Sequence, residues 1–264
     1  MTTEGFAPAK VNLALHVTGV RDDGYHLLDS LVVFAQIGDR LTFNSAPDMQ
    51  ITVDGPFAKG VPCDARNLIW QAAEISGWTG HVHLTKNLPH SAGIGGGSAD
   101  AAAVLRAFGG HERAASLGAD VPVCLSAKPQ RMSGIGDVLT PVAPLPALEI
   151  ILINPRVEVP TGTVFNGLAQ KQNAPMPKVF PEFVSAEGFC QWLRAQRNDL
   201  EAPARNAAPK ITEVLAALDT ALLARMSGSG ATCFGLYREG ASKEAERLRQ
   251  LHPDWWIAAG KLLS

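Results

Sequence analysis

This chain predicts an α+β fold arranged as two domains, and three observations carry that expectation. Short runs rich in Val, Ile, Leu and Phe between turn residues read as strands. Longer stretches with apolar residues near a 3.6-residue period read as helices. The two kinds do not alternate strictly enough for a doubly wound parallel sheet. The length of 264 residues accommodates one large domain or two small ones, and 46% hydrophobic with 18% charged residues is the composition of a chain that folds.

The first third is mostly β. Residues 8–13 (PAKVNL) read as a strand, 22–26 (DDGYH) begin as a turn, and 31–37 and 50–53 are apolar runs of strand type. Residues 66–76 place Leu68, Ile69, Ala72, Ala73 and Ile75 on one helical face, stopping at Gly77. A period-2 strand at 81–85 leads through a glycine-dense loop, 87–97, into an Ala-rich helix, 99–108. Three prolines within 141–147 break the pattern before the apolar strand 149–153, so the domain boundary is expected there, giving domains 1–147 and 148–264. Beyond it, 188–195, 207–223 and 242–251 read as helices and 232–237 and 255–259 as strands. Residues 173–181 read as an irregular connection.

With 23 Lys+Arg against 25 Asp+Glu, the net charge of -2 offers no field for a polyanion or an acidic membrane, so no nucleic-acid or membrane partner is expected. The N-terminus lacks an apolar leader and no apolar run reaches spanning length, which predicts a soluble, cytoplasmic protein. Cys63, Cys124, Cys190 and Cys233 are scattered without metal-type spacing and read as buried free thiols.

Gly93, Gly95, Gly96 and Gly97 precede Ser98 and a helix. Bare backbone can approach a ligand there, N–H groups can converge on an anion, and the helix N-terminus adds positive partial charge, so the expected guest is a phosphate. No Lys follows the last glycine, which excludes a Walker A loop, and no acidic residue stands where a dinucleotide fingerprint needs one. Ser98 is placed to cap the helix or to face a phosphate or its Mg²⁺; Asp100 suits the first helical turn. Lys10 and Asn12 lie two positions apart on one side of a strand, and Lys10 either points to solvent or serves a phosphate or carboxylate in a cleft. Asp120, in GADVP, is equally a turn cap or a base on these residues alone. A second small-residue loop, 226–232 (MSGSGAT), favours a phosphorylated ligand held from two sides.

Taken together, PAKVNLALHVTGVRDDGYHLLDSLV (8–32), LPHSAGIGGGSADAAAVL (88–105), LGADVPVCL (117–125) and MSGSGATCF (226–234), with 154–165 and 197–201, resemble the GHMP small-molecule kinase superfamily. DGYH soon after PAKVN points within it to the branch that phosphorylates 4-diphosphocytidyl-2-C-methyl-D-erythritol, in the non-mevalonate isoprenoid precursor pathway. The resemblance implies a two-domain fold, with an N-terminal half like domain 2 of ribosomal protein S5 and a ferredoxin-like C-terminal half. It implies ATP as co-substrate with Mg²⁺ bridging the phosphates, metal ligands being unassigned, and a monomer or homodimer. Lys10 and Asp120 would be the catalytic pair, Asp120 taking the proton of the attacking 2-hydroxyl and Lys10 keeping it charged and oriented. The ATP phosphates would be wrapped by Pro89, His90, Ser91, Ala92, Gly93, Ile94, Gly95, Gly96, Gly97, Ser98 and Ala99. Tyr25 and Phe165 would sandwich the cytosine, His26 would bond its polar edge, Asn12 would sit near the diphosphate or reacting hydroxyl, and Thr161 near the nucleotide.

Three departures stand out. Ala99 replaces a family Ser, His90-Ser91-Ala92 replaces a glycine-rich approach, and 106–118 is shorter than the family by about a helical hairpin. The competing readings are a homoserine- or mevalonate-type kinase of the same superfamily and a nucleotide-binding regulator without catalysis. The Tyr25-His26 pair, suited to a nucleobase, counts against the first and retention of both Lys10 and Asp120 against the second.

Overall fold

A computed structural model describes residues 2–263, which pack as two compact units. The first takes the chain up to Lys10, Ile37–His90 and Gly95–Ala127; the second takes Val11–Gln36, Ser91–Ile94 and the chain from Lys128 onward. Two long strands, β1 (Thr2–Val20) and β2 (His26–Ser45), contribute residues to each, and β1 pairs with β2. From Ala7 to Val17 nearly every β1 side chain is buried on both faces. The usual polar–apolar alternation is therefore absent, as in any strand covered on both sides.

In the first unit, β2 pairs antiparallel with β4 (Gly80–Thr85) from Arg40↔Thr85 to Ser45↔Gly80, and β3 (Gln50–Asp54) runs parallel to β4. Helix α1 (Leu68–Ser76) lies against α2 (Gly96–Phe108). Asn67 caps α1 by accepting from the N–H of Ile69, which moves its start two residues past the expected 66, and Gly77 ends it at φ 68°. Helix α2 begins at Gly96, three residues before the expected 99, because Gly95 takes φ 65° as its N-cap and two low-propensity glycines continue helically. Its alanines 99 and 101–103 are all buried, so the helix reads apolar all round. A 3-10 turn, His111–Ser116, joins it to α3 (Val121–Ser126).

In the second unit, β5 (Gln130–Gly134) pairs with β2 at Leu28–Val32 and with β6 (Val138–Pro141). A separate antiparallel sheet has the order β10-β7-β9-β8, from β7 (Glu149–Asn154), β8 (Leu223–Met226), β9 (Cys233–Tyr237) and β10 (Trp256–Lys261). Numbered within that sheet, the order is 4-1-3-2, the split βαβ arrangement of a ferredoxin-like half. Helices α4 (Thr161–Asn166), α5 (Ala186–Arg194), α6 (Glu201–Ala207), α7 (Lys210–Ala217) and α8 (Ala241–Leu251) complete the unit. Ile151, Ile153, Val164, Ile211, Val214 and Leu248 share its core.

The α+β expectation holds. The single helix expected over 207–223 does not form. Pro209 drives Ala208 to φ −139°, separating α6 from α7, and Leu223 already opens β8. Strands β5 and β6 and helices α3, α4 and α6 were beyond the sequence reading; four are six residues or fewer, too short to show a period. No helix among the described residues is long and apolar enough to cross a membrane.

Candidate active site

Lys10 sits in the doubly buried part of β1, only 5% exposed. Of the alternatives open to it, the structure selects the carboxylate: Lys10 Nζ donates to Asp120 Oδ2 at 2.8 Å. Asp120 occupies the N-cap position of α3, but its side chain makes no capping bond and goes to Lys10 instead. Its carboxylate is 38% exposed, so the buried cation presents a reachable base. Next to it, burial pushes the Cys124 thiol up to about 12, which keeps it neutral.

The glycine loop meets Lys10 in the same unit. A Cβ on Gly95 would stand 3.2 Å from the Lys10 Cβ, so the bare backbone lies directly on the lysine stem at a left-handed turn. Ser98 does not cap α2; it is the third helical residue, half-buried, and Gly95 holds the cap position without a side chain. Ala99 is fully buried, a position where a hydroxyl would need a partner. Pro89 is buried and His90 exposed, its ring edge-on to Phe57 at 6.4 Å.

Asp100 is expected in the first helical turn, but α2 starts at Gly96 and has no acidic residue in its first turn. Asp100 is 3% exposed, and Lys86 Nζ donates both to its Oδ2 at 2.5 Å and to Asp39 Oδ2 at 2.6 Å. Asp39 Oδ1 accepts the N–H groups of Asn87 and Leu88. This buried cluster therefore joins the start of the glycine loop to the helix that follows it. Burial pushes the Asp100 carboxyl up to about 7, against the pull of Lys86. Sequence reasoning missed Lys86 and Asp39, since partners 47 residues apart leave no local pattern.

In the second unit, Ser91, at φ 48°, is exposed, Ala92 and Ile94 are buried, and Gly93 packs on the 226–232 loop. A Cβ on Gly93 would fall 2.4 Å from the Ser227 carbonyl oxygen, while Ser227 Oγ donates to the Gly93 carbonyl at 3.0 Å. The two glycine-containing segments are thus brought together. Asn12 donates its backbone N–H to Ser227 Oγ and its amide to Ser30 Oγ, leaving its buried Oδ1 without a partner among the described residues. Thr161 Oγ1 lies 3.0 Å from Ser229 Oγ. Phe165 packs its ring on His26, centroids 4.6 Å apart, whereas Tyr25 is 62% exposed. The buried Nε2 of His26 also lacks a partner among the described residues. Burial, with Lys171 nearby, holds that imidazole below its usual value, so it is neutral at pH 7.

No group of three or more His, Cys, Asp or Glu among the described residues could hold a metal by itself. Mg²⁺ seldom needs such a cage, because phosphate oxygens, water and one or two protein oxygens complete its shell. The hydroxyl of Ser98 and the reachable carboxylate of Asp120 are oxygen donors of that kind, so the residues present fit a phosphate-borne Mg²⁺.

Comparison with known proteins bears on this arrangement. The family description "GHMP kinases N terminal domain" matches residues 67–139 and "GHMP kinases C terminal" matches 184–254. The 4-diphosphocytidyl-2-C-methyl-D-erythritol kinase of Dinoroseobacter shibae is 57% identical over 96% of this chain and 93% of its own. The enzyme of the same name from Ruegeria pomeroyi is 51% identical over the whole of both chains. A crystal structure of 4-(cytidine 5'-diphospho)-2C-methyl-D-erythritol kinase superposes with a TM-score of 0.78 at 32% identity, covering 99% of this chain and 100% of that one.

Proposed function

The chain belongs to the 4-diphosphocytidyl-2-C-methyl-D-erythritol kinase family within the GHMP kinases, and from that premise we propose that it transfers the γ-phosphoryl group of ATP to the 2-hydroxyl of 4-diphosphocytidyl-2-C-methyl-D-erythritol. The observation that carries the reading is the 2.8 Å contact between buried Lys10 and reachable Asp120, with Gly95 packed on the lysine stem.

Phosphoryl transfer asks for in-line placement and charge compensation more than for covalent help. Asp120 accepts the proton of the substrate hydroxyl as its oxygen bonds to the γ-phosphorus and the bond to the ADP oxygen breaks. Lys10 orients that carboxylate. The N–H groups at the start of α2 and residues 89–99 receive the ATP phosphates. Mg²⁺, when bound through those phosphates, supplies charge neutralisation. The neutral imidazole of His26, its Nε2 unpartnered and its ring on Phe165, suits the polar edge of a cytosine, with exposed Tyr25 available to stack; this favours the nucleotide substrate over homoserine or mevalonate. The unpartnered Oδ1 of Asn12 is an acceptor for a substrate hydroxyl, and Thr161 reaches the nucleotide through the Ser229 loop. The family division at 147/148 and a cytoplasmic location, where ATP is at hand, belong to the same reading. As monomer or homodimer, one chain carries both members of the catalytic pair.

The test is direct. Purified protein with ATP, Mg²⁺ and the cytidine-diphospho substrate is expected to release ADP, with a new phosphomonoester in the ³¹P spectrum; a folded protein that releases none refutes the reading. D120N is expected to lose about 10²- to 10⁴-fold in turnover while keeping ATP affinity. An active D120N removes Asp120 from the role of base.

A further inference from the structure

We propose that Arg106 is a positioning residue that sets the geometry of the Lys10–Asp120 pair from the far end of the glycine-loop helix. The proposal rests on the kinase reading above for its kinetic consequence, and on the structure of one compact unit for its geometry.

Arg106 lies in the last turn of α2, and its guanidinium makes two bonds that leave the helix. One nitrogen donates to the Cys124 carbonyl oxygen at 2.7 Å, the other to the Phe6 carbonyl oxygen at 2.6 Å. Phe6 lies on β1 four residues before Lys10, and Cys124 lies on α3 four residues after Asp120. The link to Asp120 is continuous, because the Cys124 N–H donates to the Asp120 carbonyl while its own carbonyl is held by Arg106. One side chain thus bridges the strand that carries the cation and the helix that carries the base. It does so from the helix whose other end is the phosphate loop.

Both acceptors are main-chain carbonyls, and none of the hydrogen bonds found for Arg106 goes to a carboxylate. A glutamine offers only one nitrogen where two span the separate carbonyls, and a lysine is a single point of charge in place of a planar fork. Burial lowers the Arg106 guanidinium from its ordinary value, yet that value starts so high that the group stays charged. A half-buried cation held by two carbonyls costs desolvation free energy that an apolar side chain of similar size would avoid. The location also matters. Arg106 stands near the end of α2, beyond which a 3-10 turn leads to α3. Beside the packing of α3 on α2, the guanidinium adds a tie from α3 to β1.

The test compares wild type, R106Q, R106K and R106Q/D120N by turnover, thermal unfolding and lysine-selective acetylation read residue by residue. In R106Q, kcat is expected to fall by about 10²-fold, the size expected of an ångström-scale misplacement, while KM for ATP changes little. Acetylation of Lys10 is expected to rise several-fold without a rise at exposed lysines, and R106K is expected to lie between. R106Q/D120N is expected to be no slower than D120N, because Arg106 acts through the pair. Unchanged kcat and Lys10 labelling in R106Q overturn the proposal. So does a loss of turnover in which KM for ATP and the labelling of buried lysines generally move together, with R106K failing in the same way. If wild type transfers no phosphate, the kinase reading fails, and Lys10 labelling in the two single variants still decides the geometry.

Discussion

Asp100 and Lys86 show how much a single buried side chain changes the meaning of its neighbours. A carboxylate in the first turns of a helix ordinarily gains from the macrodipole in water. Here its Oδ2 is bonded by Lys86, which is shared with Asp39, and its Oδ1 has no partner among the described residues. Burial, seconded by the neighbouring Asp39 carboxylate, outweighs the pull of the Lys86 ammonium, so the folded state holds a proton on Asp100 more tightly than the unfolded chain does. The sign follows. Between the ordinary carboxylate value, about 4, and the raised value, about 7, the native state binds more protons than the unfolded state, and stability falls as pH rises. Chemical denaturation of wild type between pH 4.5 and 7.5 is expected to show that decline, and D100N a flatter profile. Equal slopes in the two would mean that Asp100 does not titrate in this range.

Among the connecting elements, glycines carry two separable costs. Gly77 ends α1 at φ 68°, and a Cβ there would meet nothing within 4 Å, so G77A tests backbone strain alone. Gly93 has a similar φ of 73°, but its Cβ would collide with the Ser227 and Gly230 backbone. G77A is expected to cost about 1–2 kcal/mol, the penalty of a left-handed residue, with turnover intact. G93A is expected to cost more and to impair ATP use, because the two glycine-containing segments can no longer close on each other. Denaturant titrations and ATP kinetics on the two variants separate the effects, and equal behaviour would remove the close approach at Gly93 as the reason for that glycine. Helix α2 makes a related point about boundaries. Its first two residues, Gly96 and Gly97, are poor helix formers, and they are helical because Gly95 turns the chain and the alanines beyond it are buried.

At the scale of the whole molecule, burial sorts the four cysteines. Cys124, Cys190 and Cys233 are buried, and burial raises each thiol, to about 12, about 11 and well above the usual value; Cys63 is exposed, against the expectation that all four are buried. A thiol reagent is therefore expected to titrate one group rapidly in native protein and all four in denaturant, with C63S abolishing the fast phase; two or more fast thiols would contradict the burial described. The same division between local and long-range order separates what the sequence determined by itself from what only the tertiary structure decided. Helix α1 between Asn67 and Gly77, the strands of the first third, the glycine-dense loop before α2 and the proline break before β7 were legible, because caps, periods and turn residues act within a few positions. The choice of Asp120 as the partner of Lys10, 110 residues away, was not legible from the residues alone and entered only through resemblance. The Lys86 cluster and the two carbonyls held by Arg106 were not legible at all. On β1, burial on both faces erases the alternation that would have told which residues point inward. Which polar side chains meet inside a protein depends on how distant segments pack, and the desolvation that makes those meetings obligatory does not exist until the chain has folded.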